Sequence, residues 1–271
     1  MIPNIFIKLW RGRFNIVRRA FCKISRILIN RFNLFNVPVD FQNRQMNSIG
    51  LDREKGLRKL NHILKDLMDK SYDENDGMFS EHLILISSIS VARQDISRIL
   101  EIGTYDGRTA LILSRLFPKA EIITIDLPGD NSNFKKTYNR KHSAEEFIEK
   151  RNSLIRAERN IDFRESDSVK LCQWDENFDL IWIDGAHGYP VAAMDIINSY
   201  RLANKNAFVL IDDIWKKAKN TDSFYISTAG YESLNTLKNA KLISEYFLFP
   251  KRLGGIFNHP GNKKYVGCFI K

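Results

Sequence analysis

Residues 98–110 read Arg-Ile-Leu-Glu-Ile-Gly-Thr-Tyr-Asp-Gly-Arg-Thr-Ala, a short apolar run that breaks at a glycine turn and resumes with helical spacing. Ile99, Leu100 and Ile102 suit a buried strand. Gly103 lets the chain bend where a ligand approaches the backbone, and Gly107 leaves room for close helix packing. The free amides of Arg108, Thr109 and Ala110 then carry the positive end of a helix dipole, which favours a carboxylate. The turn lacks the Gly-x-Gly-x-x-Gly spacing that a pyrophosphate needs. Further on, residues 121–125 form a second buried strand ending in Asp126, close to the roughly twenty-residue offset at which an acid meets ribose hydroxyls. The expected ligand carries a ribose but no pyrophosphate.

Outward from this junction, apolar strand patterns at 99–102, 123–125, 161–163, 180–183 and 208–211 alternate with helical patterns at 109–117, 144–155 and 191–202. A further helical segment, 81–93, precedes the first strand. Such alternation predicts an α/β protein with a parallel sheet covered on both faces and ligands at the carboxyl ends of the strands. A final pair of strands, 242–248 and 265–270, has no convincing helix between its members.

A second constellation stands at the ends of two of these strands. Ile181-Trp-Ile-Asp184-Gly-Ala-His187 closes one, and Phe208-Val-Leu-Ile-Asp212-Asp213 closes the next. Neighbouring strands lie about 4.8 Å apart, so Asp184, Asp212 and Asp213 are expected to converge on one sheet edge. Carboxylates that close repel unless a cation compensates, and Mg²⁺ or a similar hard divalent ion accepts oxygen ligands while keeping exchangeable waters. The competing reading is that Asp212 or Asp213 caps the following turn and that Asp184 contacts the cofactor. His187, with an ordinary pKa of about 6.5, suits general-base work at neutral pH; a loop histidine bonded to backbone is its plainer alternative.

The run Glu101-Ile-Gly103-Thr104-Tyr105-Asp-Gly107, followed by Asp126 and by Ser166-Asp167-Ser168, resembles the Rossmann-like S-adenosylmethionine-dependent methyltransferases over about residues 78–271. The resemblance implies a doubly wound, mostly parallel seven-stranded sheet with an antiparallel C-terminal hairpin. It implies S-adenosylmethionine as cofactor, with Gly103, Thr104 and Gly107 along its methionine end, Asp126 on the ribose and Asp167 at the adenine amino group. A helix N-cap is the other reading of Asp167. The Asp212-Asp213 pair is similar to the macrolide-sugar branch of the metal-dependent O-methyltransferases, whereas catechol-type relatives have Asp-Asn there and a lysine in the place of His187. The acceptor implied is a hydroxyl of a small molecule, sugar or glycan. Metal-independent or nitrogen-directed transfer, and a non-catalytic nucleic-acid- or membrane-binding protein on the same fold, remain the alternatives.

Composition fits without deciding: 271 residues, 44% hydrophobic, give one full-sized domain plus an extension. Cys22, Cys172 and Cys268 lack metal or redox spacing, so they read as free thiols of a cytoplasmic protein. Charge is uneven. Residues 1–36 hold eight basic and no acidic residues, which leaves a body of 34 basic and 32 acidic ones. A nearly neutral body disfavours bulk nucleic acid as partner. Within the extension Trp10, Phe14, Val17, Phe21, Ile24 and Leu28 recur at helical spacing opposite Lys8, Arg11, Arg18, Arg19, Lys23 and Arg26. This amphipathic helical pattern suits peripheral contact with an anionic membrane, or docking on the body or on a second subunit of a homo-oligomer; a mitochondrial transit peptide is a further possibility. It is too interrupted by charge to span a bilayer or to serve as a signal peptide. Residues 37–80, with a helix near 54–68, read as connector and lid support, and 81–271 as the methyltransferase domain. Acceptor choice is expected from two loops, 130–141 and 249–264, in which Lys135, Lys136, Arg140, Lys141, Lys251 and Arg252 suit an anionic group.

Overall fold

The computed structural model describes residues 35–76, 79–138, 143–218, 221, 225–255, 258 and 263–271. The amphipathic pattern read in residues 1–34 lies outside the described residues.

Seven strands make one sheet: β1 (Arg98–Ile102), β2 (Glu121–Asp126), β3 (Ile161–Glu165), β4 (Phe178–Ile183), β5 (Ala203–Ile214), β6 (Tyr246–Pro250) and β7 (Tyr265–Ile270). Their order is β3-β2-β1-β4-β5-β7-β6. β1 to β5 are parallel, and β7 runs antiparallel to both β5 and β6. This is the doubly wound sheet with a closing hairpin that the sequence predicts. The connections reverse direction between β1 and β4, which opens a crevice at their carboxyl ends, where ligands bind in such sheets.

The helices are α1 (Val39–Asn47), α2 (Arg53–Met68), α3 (Glu81–Ala92), α4 (Arg108–Leu116), α5 (Ser132–Tyr138), α6 (Ala144–Arg156), α7 (Val191–Leu202) and α8 (Ala229–Asn239), with a 3₁₀ turn at Ser168–Gln173. Strict alternation along the central strands builds two cores. Ile99, Leu180, Trp182, Phe208 and Leu210 face one side with Met46, Leu60, Leu64, Ile84 and Ile112. Leu100, Ile181, Ile183, Val209 and Ile211 face the other with Ile196, Leu202 and Leu234. Each such side chain taken out of water contributes about 1.5–3 kcal/mol. α3 is buried almost all round, from Glu81 to Ser90, its Leu83–Ile86 run and Ile89 in the core and its buried serines bonded to backbone carbonyls. Residues 39–68, read as connector, thus place Met46, Leu60 and Leu64 in the same core as the strands.

Three elements differ from the sequence reading. The strand placed at 242–248 is β6 at Tyr246–Pro250, because the amides of Leu242 and Ile243 both turn back to the Leu237 carbonyl to close α8, with Lys241 at φ 58°. The stretch 130–141, read as loop, contains α5. β5 extends well beyond 208–211, since β4 and β7 pair with it on its two sides.

Candidate active site

Gly103, at the end of β1, has φ +100°, and a Cβ there would lie 2.3 Å from the Asp184 carbonyl oxygen. The amide of Asp184 in turn donates to the Ile102 carbonyl at 2.8 Å. The glycine is therefore demanded by the close approach of two strand ends, and it ties the turn after β1 to the acid after β4. Gly107, at φ +79°, starts α4, and a Cβ there would press on Ile155 of α6 at 3.0 Å.

Around this turn Thr104 Oγ1 and Thr124 Oγ1 are 2.6 Å apart, and Thr124 donates to Glu101 Oε2 at 2.5 Å. Glu101 is fully buried and its Oε1 has no partner. Burial, with Asp126 and Asp106 nearby, pushes its pKa up to about 8 despite the Thr124 bond. Tyr105 takes φ 48°, and its amide donates to Asp126 Oδ2 at 2.8 Å while Leu127 donates to Oδ1 at 2.8 Å. The Asp126 carbonyl accepts from the Ser166 amide at 2.8 Å, which brings 166–168 beside it. Asp167 caps the 3₁₀ turn that begins at Ser168, accepting from Val169 N at 3.1 Å.

Beyond Gly103, Asp184, His187 and Asp212 each offer one ligand atom, all within 4.8 Å of one another. His187 Nε2 is 3.6 Å from Asp184 Oδ1 and 3.9 Å from Asp213 Oδ2, and Ser227 Oγ holds the His187 carbonyl at 2.9 Å. Burial depresses the His187 pKa, keeping the imidazole neutral at neutral pH. Burial and then the neighbouring Asp212 carboxylate raise that of Asp184. Asp212 Oδ1 is buried and has no hydrogen-bond partner.

Asp213, at φ 52°, stands beside this group and not within it. Lys251 Nζ donates to Asp212 Oδ2 at 2.5 Å and to Asp213 Oδ1 at 2.6 Å, and Lys264 Nζ takes Asp213 Oδ2. Burial opposes the charge on all three partners, yet the Lys251 attraction holds Asp212 and Asp213 below the ordinary carboxylate range and the carboxylates hold Lys251 above the ordinary lysine range. Sequence reading put both Lys251 and Lys264 in an acceptor loop, 249–264, and linked neither to the acids. The available signal was their position, one residue beyond β6 and one before β7, at the same rim as Asp212. His82, unassigned from sequence, is buried beneath the cluster, stacked on Trp182 with centroids 4.9 Å apart and 2.6 Å from Ser80 Oγ through Nδ1. Burial lowers its pKa to about 4.

Glu101, Gly103, Asp126, Asp184 and Asp212 thus lie on one rim, at or just beyond the carboxyl ends of β1, β2, β4 and β5. Over the same strands, residues 100–214 match a family model described as a methyltransferase domain. That match takes in the glycine turn, Asp126, 166–168 and both acidic strand ends, the residues on which the resemblance rests. Among solved structures the chain is similar to the O-methyltransferase TomG from Streptomyces achromogenes in complex with SAM, at 15% identity over 84% of this chain and 94% of that one, TM-score 0.48. It is similar to cofactor-bound Rv0187 from MTB at 15% identity over 79% and 87%, TM-score 0.49. An O-methyltransferase from Bacillus cereus in complex with SAH gives 13% identity over 81% and 100%, TM-score 0.46. No curated protein matches the sequence.

Proposed function

We propose that the methyltransferase domain moves the methyl group of S-adenosylmethionine to a hydroxyl of a small molecule, with a sugar or glycan as the acceptor class, at the Asp184–His187–Asp212 cluster. The observation that carries this reading is the Gly103–Asp184 contact, which sets the cofactor turn and the acidic cluster side by side at the sheet's switch point. The unpartnered Glu101 Oε1 suits the cofactor's ammonium group, and the amides opening α4 suit its carboxylate. Asp126 serves the ribose, and 166–168 serve the adenine end.

Chemistry is one displacement. The acceptor oxygen forms its bond to the sulfonium methyl as the carbon–sulfur bond breaks, the electron pair staying on sulfur, and the hydroxyl proton passes to the neutral His187 Nε2. Asp184 and Asp212 would hold a divalent cation such as Mg²⁺; the buried, unpartnered Asp212 Oδ1 fits that role, and Asp213, expected as a third ligand, is instead engaged by two lysines. Such an ion, when bound, supplies Lewis acidity that makes a hydroxyl easier to deprotonate. Calorimetric titration with S-adenosylhomocysteine, with and without Mg²⁺, tests the reading: saturable one-site binding is expected, and its absence overturns it.

A further inference from the structure

Three carboxylates, Asp184, Asp212 and Asp213, share the rim with two ammonium groups and a neutral imidazole. The two ammonium groups offset the charges of two carboxylates, so the cluster keeps at most one excess negative charge where three bare carboxylates would present up to three. Lys251 dominates this balance because it bridges two of the acids, whereas Lys264 touches only Asp213 and is 35% exposed.

Lys251 is also fixed from behind. Its carbonyl accepts from the Glu81 amide at 2.9 Å and its amide donates to the Lys264 carbonyl at 3.0 Å. The preceding Pro250 carbonyl accepts from Gln42 Nε2 at 3.1 Å. Glu81 and Gln42 belong to helices of the sheet's opposite flank, and Glu81 is itself locked to Arg53. The backbone that carries this lysine is thus pinned at the rim, and its ammonium is held there by the two carboxylates it bridges.

We propose that Lys251 is a built-in counter-cation of the methyl-transfer site, clamping the Asp212–Asp213 pair and thereby keeping divalent-ion binding at Asp184 and Asp212 weak. The proposal rests on the cation reading given above and deepens it, because it says how strongly this chain holds such an ion when nothing else is bound.

The test is a titration of the full-length protein with Mn²⁺ alone, followed by calorimetry and by electron paramagnetic resonance of the free ion, so that no acceptor is needed. The wild type is expected to bind weakly, Lys251→Met to bind at least tenfold more tightly, and Lys251→Arg, which keeps the charge, to match the wild type. The double variant Lys251→Met/Asp213→Asn restores the charge balance and should fall back toward wild-type affinity. Equal saturable binding by wild type and Lys251→Met overturns the role of Lys251 and leaves the cation reading standing. No saturable binding by either overturns both. If Lys251→Met does not fold by circular dichroism, Lys264→Met carries the test: the proposal expects a smaller tightening there, and no tightening overturns it.

Discussion

His187 keeps a free lone pair at neutral pH because burial disfavours its imidazolium form, and its backbone is held by Ser227 Oγ on the His187 carbonyl. Its replacement by Ala should lower turnover by about 10²–10⁴-fold, the usual worth of a general base, while S-adenosylhomocysteine affinity measured by calorimetry stays unchanged. Glu101 makes a different prediction. Its pKa is raised from 4.5 to about 8 in the fold, so the native state prefers the protonated form; the stability this gives is complete below pH 4.5 and is lost as pH rises toward 8. The cofactor-free protein should therefore melt at a lower temperature at pH 8.5 than at pH 5, and Glu101→Gln should flatten that slope in a pH series of melting curves. At this scale Gly103, Asp126, Asp184 and Asp212 were legible because each directly follows an apolar strand, a pattern confined to a few neighbouring residues. Lys251 was not. Its partners lie 38 and 39 residues away, and only the β5–β7–β6 pairing brings them together.

The strand ends are the elements on which the site depends. Gly103→Ala sets a Cβ 2.3 Å from the Asp184 carbonyl oxygen at a φ that side chains disfavour, so it should cost at least ~2 kcal/mol and weaken cofactor binding together with stability; urea unfolding and calorimetry read the two effects. On the other flank, Arg53 and Glu81 form an ion pair with side chains only 7% and 1% exposed. Arg53→Met leaves the buried Glu81 without its counter-charge, with only Gln42 Nε2 at 3.5 Å as donor, an effect of about 3–5 kcal/mol that urea unfolding would measure. The central strands and α7 were legible because alternation and helical spacing are strong there. α1, α5 and α8 were not, because their sequences mix polar and apolar positions and their helical state depends on what they pack against: Met46 of α1, Phe134 of α5 and Leu234 of α8 are each buried.

Across the whole molecule charge is divided between a nearly neutral body and a basic first 36 residues. No helix among the described residues is long and apolar enough to cross a membrane, and Phe35, Val39 and Phe41, next to the basic segment, are exposed. If the sequence pattern of residues 1–34 serves an anionic surface, at about 1 kcal/mol per basic side chain near it, removing those residues should lower co-sedimentation with phosphatidylglycerol vesicles and leave S-adenosylhomocysteine binding intact. Unchanged vesicle binding would end that idea.

Val37 donates to the Leu253 carbonyl, Gln42 reaches Pro250 and Glu81 reaches Lys251, so early and late parts of the chain close over each other, and pairings that distant form slowly. A nascent polypeptide that has already emerged through β5 still lacks the hairpin that tethers its acidic rim. Catalytic competence is thus withheld until synthesis has passed β6 and β7, and a chain cut short before Lys251 should keep most of its sheet yet have no finished reaction centre.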